Sequence, residues 1–250
     1  MSKYIYNFPI SMLHGFMVNT DSVLDEILDF CIWQKYQKCE DIEEVKQTLC
    51  ISFGNENMVL EKGRKLFERY RNDGYPWTGI SHDAFWSFFR QNRSDFDKAT
   101  LLAFLAIKSF IGQKEYYKIT NQKNIFKRMA GYKESDKYHL PKEIKKFTTR
   151  SRFDRIKLEL QENWNIVIYA FHVRGMYVSS VLSLNQLALV AEKNKLKTRQ
   201  KKKSYAAAEA RKKALEVIAR ETTEKAEEEP IQRTGSLSNS DSEFLEKPPF

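Results

Sequence analysis

The sequence predicts a mainly α fold with one β-hairpin, and three observations carry that expectation. Apolar residues recur at helical spacing along much of the chain, as in Val23, Ile27, Phe30 and Cys31. The run from Ala99 to Ile111 is apolar around most of a helix and therefore marks a buried, central one. After Asn163-Trp164-Asn165 the period changes to two. Ile166, Ile168 and Ala170 alternate with Val167, Tyr169 and Phe171, and Met176 to Leu182 supplies a second β-rich run.

Taken in order, residues 1–94 read as a helical N-terminal part. Phe8, Pro9, Met12, Leu13, Phe16 and Met17 form an apolar arm expected to pack on the body. Thr20 or Asp21 is the expected cap of a helix ending near Gln37, whose first turns are acidic (Asp21, Asp25, Glu26, Asp29) and read as a solvated face. Asp41 opens a short helix, and Gly54-Asn55 precedes a longer one through Tyr70. Asn72 to Gly79 is a turn-rich break, with Trp77 expected to cap the core beneath it. Ser81 then starts a helix with His82, Phe85, Trp86, Phe88 and Phe89, too aromatic to stand in water.

Residues 95–192 form the next expected domain. Ser94-Asp95-Phe96-Asp97 is an acidic capping sequence, Gly112 stops the central helix, and Tyr116 to Ile119 predicts a short strand. Thr120 is the expected cap of a second helix, with Ile125, Phe126, Met129 and Ala130 inward and Lys123, Lys127 and Arg128 outward. A connection through Pro141, Lys142, Lys145 and Lys146 leads to a third helix from Thr149. It gathers Phe153, Ile156 and Leu160 on one stripe, points Arg150, Ser151, Asp154, Arg155 and Leu158 away, and carries Arg152 and Lys157 on its flanks. The hairpin follows, its tip His172-Val173-Arg174-Gly175 using a glycine that reaches positive φ cheaply.

Ser183 and Gln186 match a capping box. Lys193, Lys195, Lys197, Arg199, Lys201, Lys202 and Lys203 then fall in a stretch without acid, readable as a flexible arm or as the solvated part of one long helix. Residues 206–229 carry a thin stripe of Ala210, Ala214, Val217 and Ile218 and form the expected route to a homodimer or a helical partner. Residues 230–250 are expected to be a disordered tail.

The 250 residues suffice for a real core, and a net charge of +9 favours polyanionic partners. The three cysteines, Cys31, Cys39 and Cys50, form no C-x-x-C pair and read as reduced thiols. No secretion signal and no run of about 18 apolar residues is found, so a cytoplasmic protein without a membrane role is expected. His14, His82, His139 and His172 stand at no metal-ligand spacing, and no phosphate-loop, dinucleotide or nucleophile-elbow motif is present. No enzyme, cofactor or metal is expected.

The order helix, short strand, helix, basic helix, hairpin in residues 95–182 resembles the winged helix-turn-helix superfamily. The whole chain is also faintly similar to uncharacterised proteins of bacterial mobile elements, which agrees with a transcription regulator or replication protein. The resemblance implies duplex DNA as partner, with the third helix in the major groove. It would direct Arg150, Ser151, Arg152, Asp154 and Arg155 to base edges. Lys123, Lys127, Arg128, Lys145, Lys146, His172 and Arg174 would lie on phosphates. Lys201, Lys202 and Lys203 would add sequence-independent attraction. The alternative is a protein–protein adaptor built on the same scaffold, in which 206–229 pairs with another helix.

Overall fold

A computed structural model describes residues 4–112, 115–170 and 175–228 of the chain. The fold is mainly helical with two small antiparallel sheets. The chain divides after Lys193, and each of the two units is described by itself.

In the first unit, β1 (Ile5–Pro9) pairs antiparallel with β2 (Trp77–Ser81). Here the structure corrects the all-helical expectation for residues 1–94. Tyr6 and Phe8 alternate inward and stand opposite Ile80 and Thr78, so the apolar arm is a strand on the body. Trp77 lies at its end, partly exposed, with its ring 5.8 Å from that of Phe30. A 3-10 turn (Ile10–Leu13) leads to α1 (Thr20–Cys39). Its N-cap is Asn19 without a side-chain cap bond, whereas Thr20 turns its hydroxyl back to the Phe16 carbonyl at 2.9 Å.

The helices α2 (Ile42–Leu49), α3 (Glu56–Tyr70) and α4 (His82–Phe88) start where Asp41, Asn55 and Ser81 accept backbone N–H groups of the first turn. Packing between α1 and α3 is close because residue 63 is glycine. A Cβ there would lie 2.3 Å from the Asp29 carbonyl oxygen and 2.8 Å from the Trp33 Cβ.

Central to the unit is α5 (Asp95–Ile111), opened by a capping box between Ser94 and Asp97 and closed by Gly112 at φ 62°. It buries Leu101, Leu102, Leu105, Ile107 and Phe110 among others, and β2, α6 and α8 all pack against it. Thr78 of β2 donates its hydroxyl to the Leu105 carbonyl at 2.7 Å. One hydrophobic cluster therefore runs from Tyr6 to Val178, through both expected domains, 1–94 and 95–192.

Next come β3 (Lys118–Thr120), α6 (Gln122–Met129), the one-turn α7 (Lys142–Lys145), α8 (Arg150–Asn163), β4 (Val167–Tyr169) and β5 (Met176–Ser179). The N-cap of α6 is Asn121, which accepts the Asn124 N–H, and not Thr120, which is buried. The second sheet has the order β3-β5-β4, antiparallel throughout. Gly175 enters β5 at φ 148°, and a Cβ there would stand 3.0 Å from the Thr120 carbonyl oxygen. β5 is shorter than the run to Leu182 suggests, because the buried Ser179 hydroxyl accepts the N–H groups of Val181 and Leu182 and turns the chain.

The helix α9 (Leu184–Glu228) begins with the expected Ser183–Gln186 capping box. It is continuous, so the basic block at 193–203 is helical and not a flexible arm. Residues 194–228 belong to the second unit, and Lys201, Lys202 and Lys203 are exposed there. The expected tail lies outside the described residues. Among those described, no helix is long and apolar enough to cross a membrane.

Replacing Gly63 with Ala tests the α1–α3 contact. Alanine improves helix propensity by about 1 kcal/mol, yet its Cβ meets backbone that cannot rotate away, so a net loss of about 1–2 kcal/mol is expected in urea unfolding. The control Gly54→Ala, whose Cβ meets open space, should move stability by less than about 0.5 kcal/mol.

Candidate nucleic-acid interface

Three chain ends meet at one corner of the first unit. Gln122, in the first turn of α6, donates its amide to the Thr148 carbonyl at 2.8 Å, just ahead of α8. Thr148 donates its hydroxyl to the Lys145 carbonyl at 2.7 Å, and Arg152 donates a guanidinium N–H to the Lys146 carbonyl at 2.8 Å. The starts of α6 and α8 and the end of α7 thus adjoin. Lys123, Lys145, Arg150, Ser151 and Arg152 are all exposed on them.

The starts of α6 and α8 differ in charge from most other helix starts. The first turns of α1, α2, α3, α4, α5 and α7 carry acids, which complement the positive end of the helix dipole. The first turns of α6, α8 and α9 carry none, and α8 places Arg150 and Arg152 there. Its N-cap, Thr149, makes no side-chain cap bond. What holds α8 is its inner stripe, Phe153, Ile156 and Leu160, all buried. Its outer stripe of Ser151, Asp154, Arg155 and Leu158 faces solvent, with Leu158 54% exposed.

The cations are not equally free. Arg150 is extended into solvent and only loosely approached by Asp154, at 3.8 Å, while Lys157 pairs with the same carboxylate at 2.5 Å. Asp154 therefore balances its own helix. Arg155 lies with its guanidinium 4.7 Å from the Phe96 ring centre. Lys146 is ion-paired with Asp95 at the start of α5, and that ammonium holds the Asp95 carboxyl below its ordinary range.

Lys127 and Arg128 require a correction. Both are buried, not outward. The connection after α6 folds back over that helix, and Lys127 donates to the carbonyls of Glu134 and Asp136 while its ammonium sits 4.7 Å from the Tyr138 ring centre. Arg128 stacks over Phe110 at 4.9 Å, and burial pushes its guanidinium below the usual value. Neither can reach a phosphate. His172 and Arg174 lie outside the described residues. Lys142 is an exposed cation on α7 that belongs to the same corner; its place in the Lys142–Lys146 run was the signal for it.

Among the described residues, no group of three or more His, Cys, Asp or Glu side chains could hold a metal ion. His14 packs edge-on against Tyr132, and the Nδ1 of His82 accepts the Trp86 indole N–H at 3.2 Å.

The two lysines of α6 should separate by stability. Lys127→Met removes charge-assisted bonds to two carbonyls and is expected to cost about 1.5–3 kcal/mol in chemical denaturation. Lys123→Met should change it by less than about 0.5 kcal/mol. Equal effects would contradict the burial of Lys127.

Comparison with protein-family models, with curated proteins and with solved structures finds no match for this chain. A function for the corner therefore rests on the corner's own residues.

Proposed function

We propose that the chain is a non-enzymatic duplex DNA-binding protein of winged-helix type, acting as a transcription regulator or replication initiator, with α8 as its recognition helix. The observation that carries this reading is the corner where α6 and α8 begin with no acid in either first turn, with Lys123, Lys145, Arg150 and Arg152 exposed around those helix N-termini. Such ends favour anions twice, through side-chain charge and through backbone N–H groups.

Duplex DNA is favoured over a diffuse polyanion by the form of α8. Its 14 residues span about 21 Å and present a polar stripe flanked by arginines, a rod that a major groove about 12 Å wide admits. Arg150 and Arg152 are suited to phosphate or to guanine edges, and Ser151 and Arg155 to bases. Two further features support a winged-helix arrangement: the element order α5, β3, α6, α7, α8, β4, β5, with α7 a single turn, and the strand order β3-β5-β4. In this reading His172 and Arg174 occupy the wing, and Lys201, Lys202 and Lys203 add non-specific attraction.

A second reading, as an adaptor, draws on α9, where Leu196, Tyr205, Leu215, Val217 and Ile218 are 53–74% exposed. Helical pairing through 206–229 would cover some of them.

Fluorescence anisotropy with a random duplex over a range of salt separates the readings. Binding should weaken steeply with salt, and Arg150→Gln with Arg152→Gln should flatten the log–log slope by about 1.8, at about 0.9 for each phosphate no longer neutralised. Changing Lys201, Lys202 and Lys203 to Gln should lower affinity for all sequences alike. Affinity indifferent to salt, or a slope that the arginine pair leaves unchanged, would reject the DNA reading in favour of the adaptor.

A further inference from the structure

On α1 the acidic residues Asp25, Glu26 and Asp29 read as a solvated face, but two of them do not simply face water. Asp25 and Asp29 form one wall of a cavity of about 510 Å³ between α1, the turn at 50–53 and α4. Its other walls combine the apolar side chains of Leu28, Ile32, Phe53, Trp86 and Phe89 with the polar ones of Ser52, His82 and Arg90. That volume, with aromatic and aliphatic side chains set beside a few convergent charged groups, lies in the range of small-molecule sites.

The walls are held in place before any ligand arrives. The Trp86 indole donates to His82 Nδ1 at 3.2 Å, and the Tyr6 hydroxyl lies 3.2 Å from the same nitrogen. The Trp86 ring is further packed edge-on against Phe85 and Phe89. The turn after α2 is pinned by Cys50 at φ 52°, whose N–H, with that of Ile51, returns to carbonyls of α2. On the far side Arg90 takes φ 55° and donates its backbone N–H to the Asp21 carboxylate at 3.1 Å.

The two carboxylates of this cavity are not equally paired. The Arg90 guanidinium is directed to Asp25 at 3.8 Å and to the Phe89 ring at 4.9 Å. Asp29 is half-buried, and no ion pair or hydrogen bond of its carboxylate is found among the described residues. Burial raises its carboxyl to about 6, with Lys62 opposing and Asp25 and Glu26 adding to the rise. A half-buried carboxylate without a hydrogen bond or close ion pair is costly, and a cation brought against it relieves that cost.

We propose that this cavity binds a small organic cation, an amine on an apolar or aromatic body, with the Asp29 carboxylate as counter-ion and Trp86, Phe89 and Phe53 against the body. A neutral ligand of the same shape would bury the carboxylate further without pairing it. An anion would meet Asp25 and Asp29 directly. Aromatic faces add to the attraction for a cation. The site is distinct from the cationic corner at α8, and its occupancy does not depend on the DNA reading.

The test uses phenethylamine, with 2-phenylethanol and 3-phenylpropionate as neutral and anionic shape controls, titrated into the full chain near neutral pH. The readout is the indole N–H signal of Trp86 in heteronuclear NMR, assigned by its loss in Trp86→Phe. A saturable shift with a Kd at or below about 1 mM is expected for the amine, with the alcohol at least about tenfold weaker and the acid weaker still. Asp29→Asn keeps the shape, removes the charge and should weaken the amine about tenfold while the spectrum elsewhere stays folded. Equal binding of amine and alcohol, full amine affinity in Asp29→Asn, or no saturable shift at several times that concentration would overturn the proposal.

Discussion

The burial of α5 is the constraint on which the other elements of the first unit depend. Leu101, Leu102, Leu105 and Ile107 are at or near zero exposure, which a helix reaches only when other elements enclose it. Each such side chain contributes about 1.5–3 kcal/mol relative to exposure, so the elements that cover α5 are held by its sides more than by their own termini. The β1–β2 sheet covers one part, through Thr78 and Ile80, and α6 and α8 cover another. This is why residues on both sides of position 94 share a core. Two separate domains would have required α5 to choose one partner.

The same constraint explains how α8 tolerates an unfavourable start. Arginines beside the positive end of a helix dipole, with no acid and no side-chain cap, work against helix formation. Phe153, Ile156 and Leu160 anchor α8 to the core regardless. The start of α5 supplies the compensating contacts, with Asp95 pairing Lys146 and the Phe96 ring under Arg155. At the starts of α1 to α5, by contrast, acids occupy the first turn and complement the helix dipole.

Much of this architecture was legible in the sequence because it is written in local periodicity. The central helix, its caps at Ser94 and Gly112, the stripe of Phe153, Ile156 and Leu160, and the switch to period two after Asn165 each lie within one or two turns of chain. The pairing of β1 with β2 does not, since about 70 residues separate the partners and each strand alone looks like an apolar arm or a turn-rich break. Lys127 and Arg128 were misplaced for a related reason. Periodicity on the eight-residue α6 gives two faces, one for the core and one for water, but the chain at 133–138 returns over the second face and offers carbonyls to Lys127. The cavity beside Asp29 is equally non-local, assembled from α1, the 50–53 turn and α4, and a row of acids on one helix says nothing of what stands opposite.

The second sheet shows how far such non-local support reaches. Strands of three and four residues are too short to persist as an isolated ribbon. Here every residue of β5 is buried, which requires cover on both faces. Ile168, Met176 and Val178 join the main core, whereas Tyr177 packs with Leu187 and Ala191 from the first turns of α9, flanked by Tyr117 and Tyr169. The hairpin and those turns therefore stabilise each other, and the Ser179 hydroxyl that ends β5 and the Ser183–Gln186 box that begins α9 are the local devices joining them. The apolar support ends at Ala191, and the cation block begins at Lys193. The helical residues of the second unit have strong intrinsic propensity in place of apolar cover.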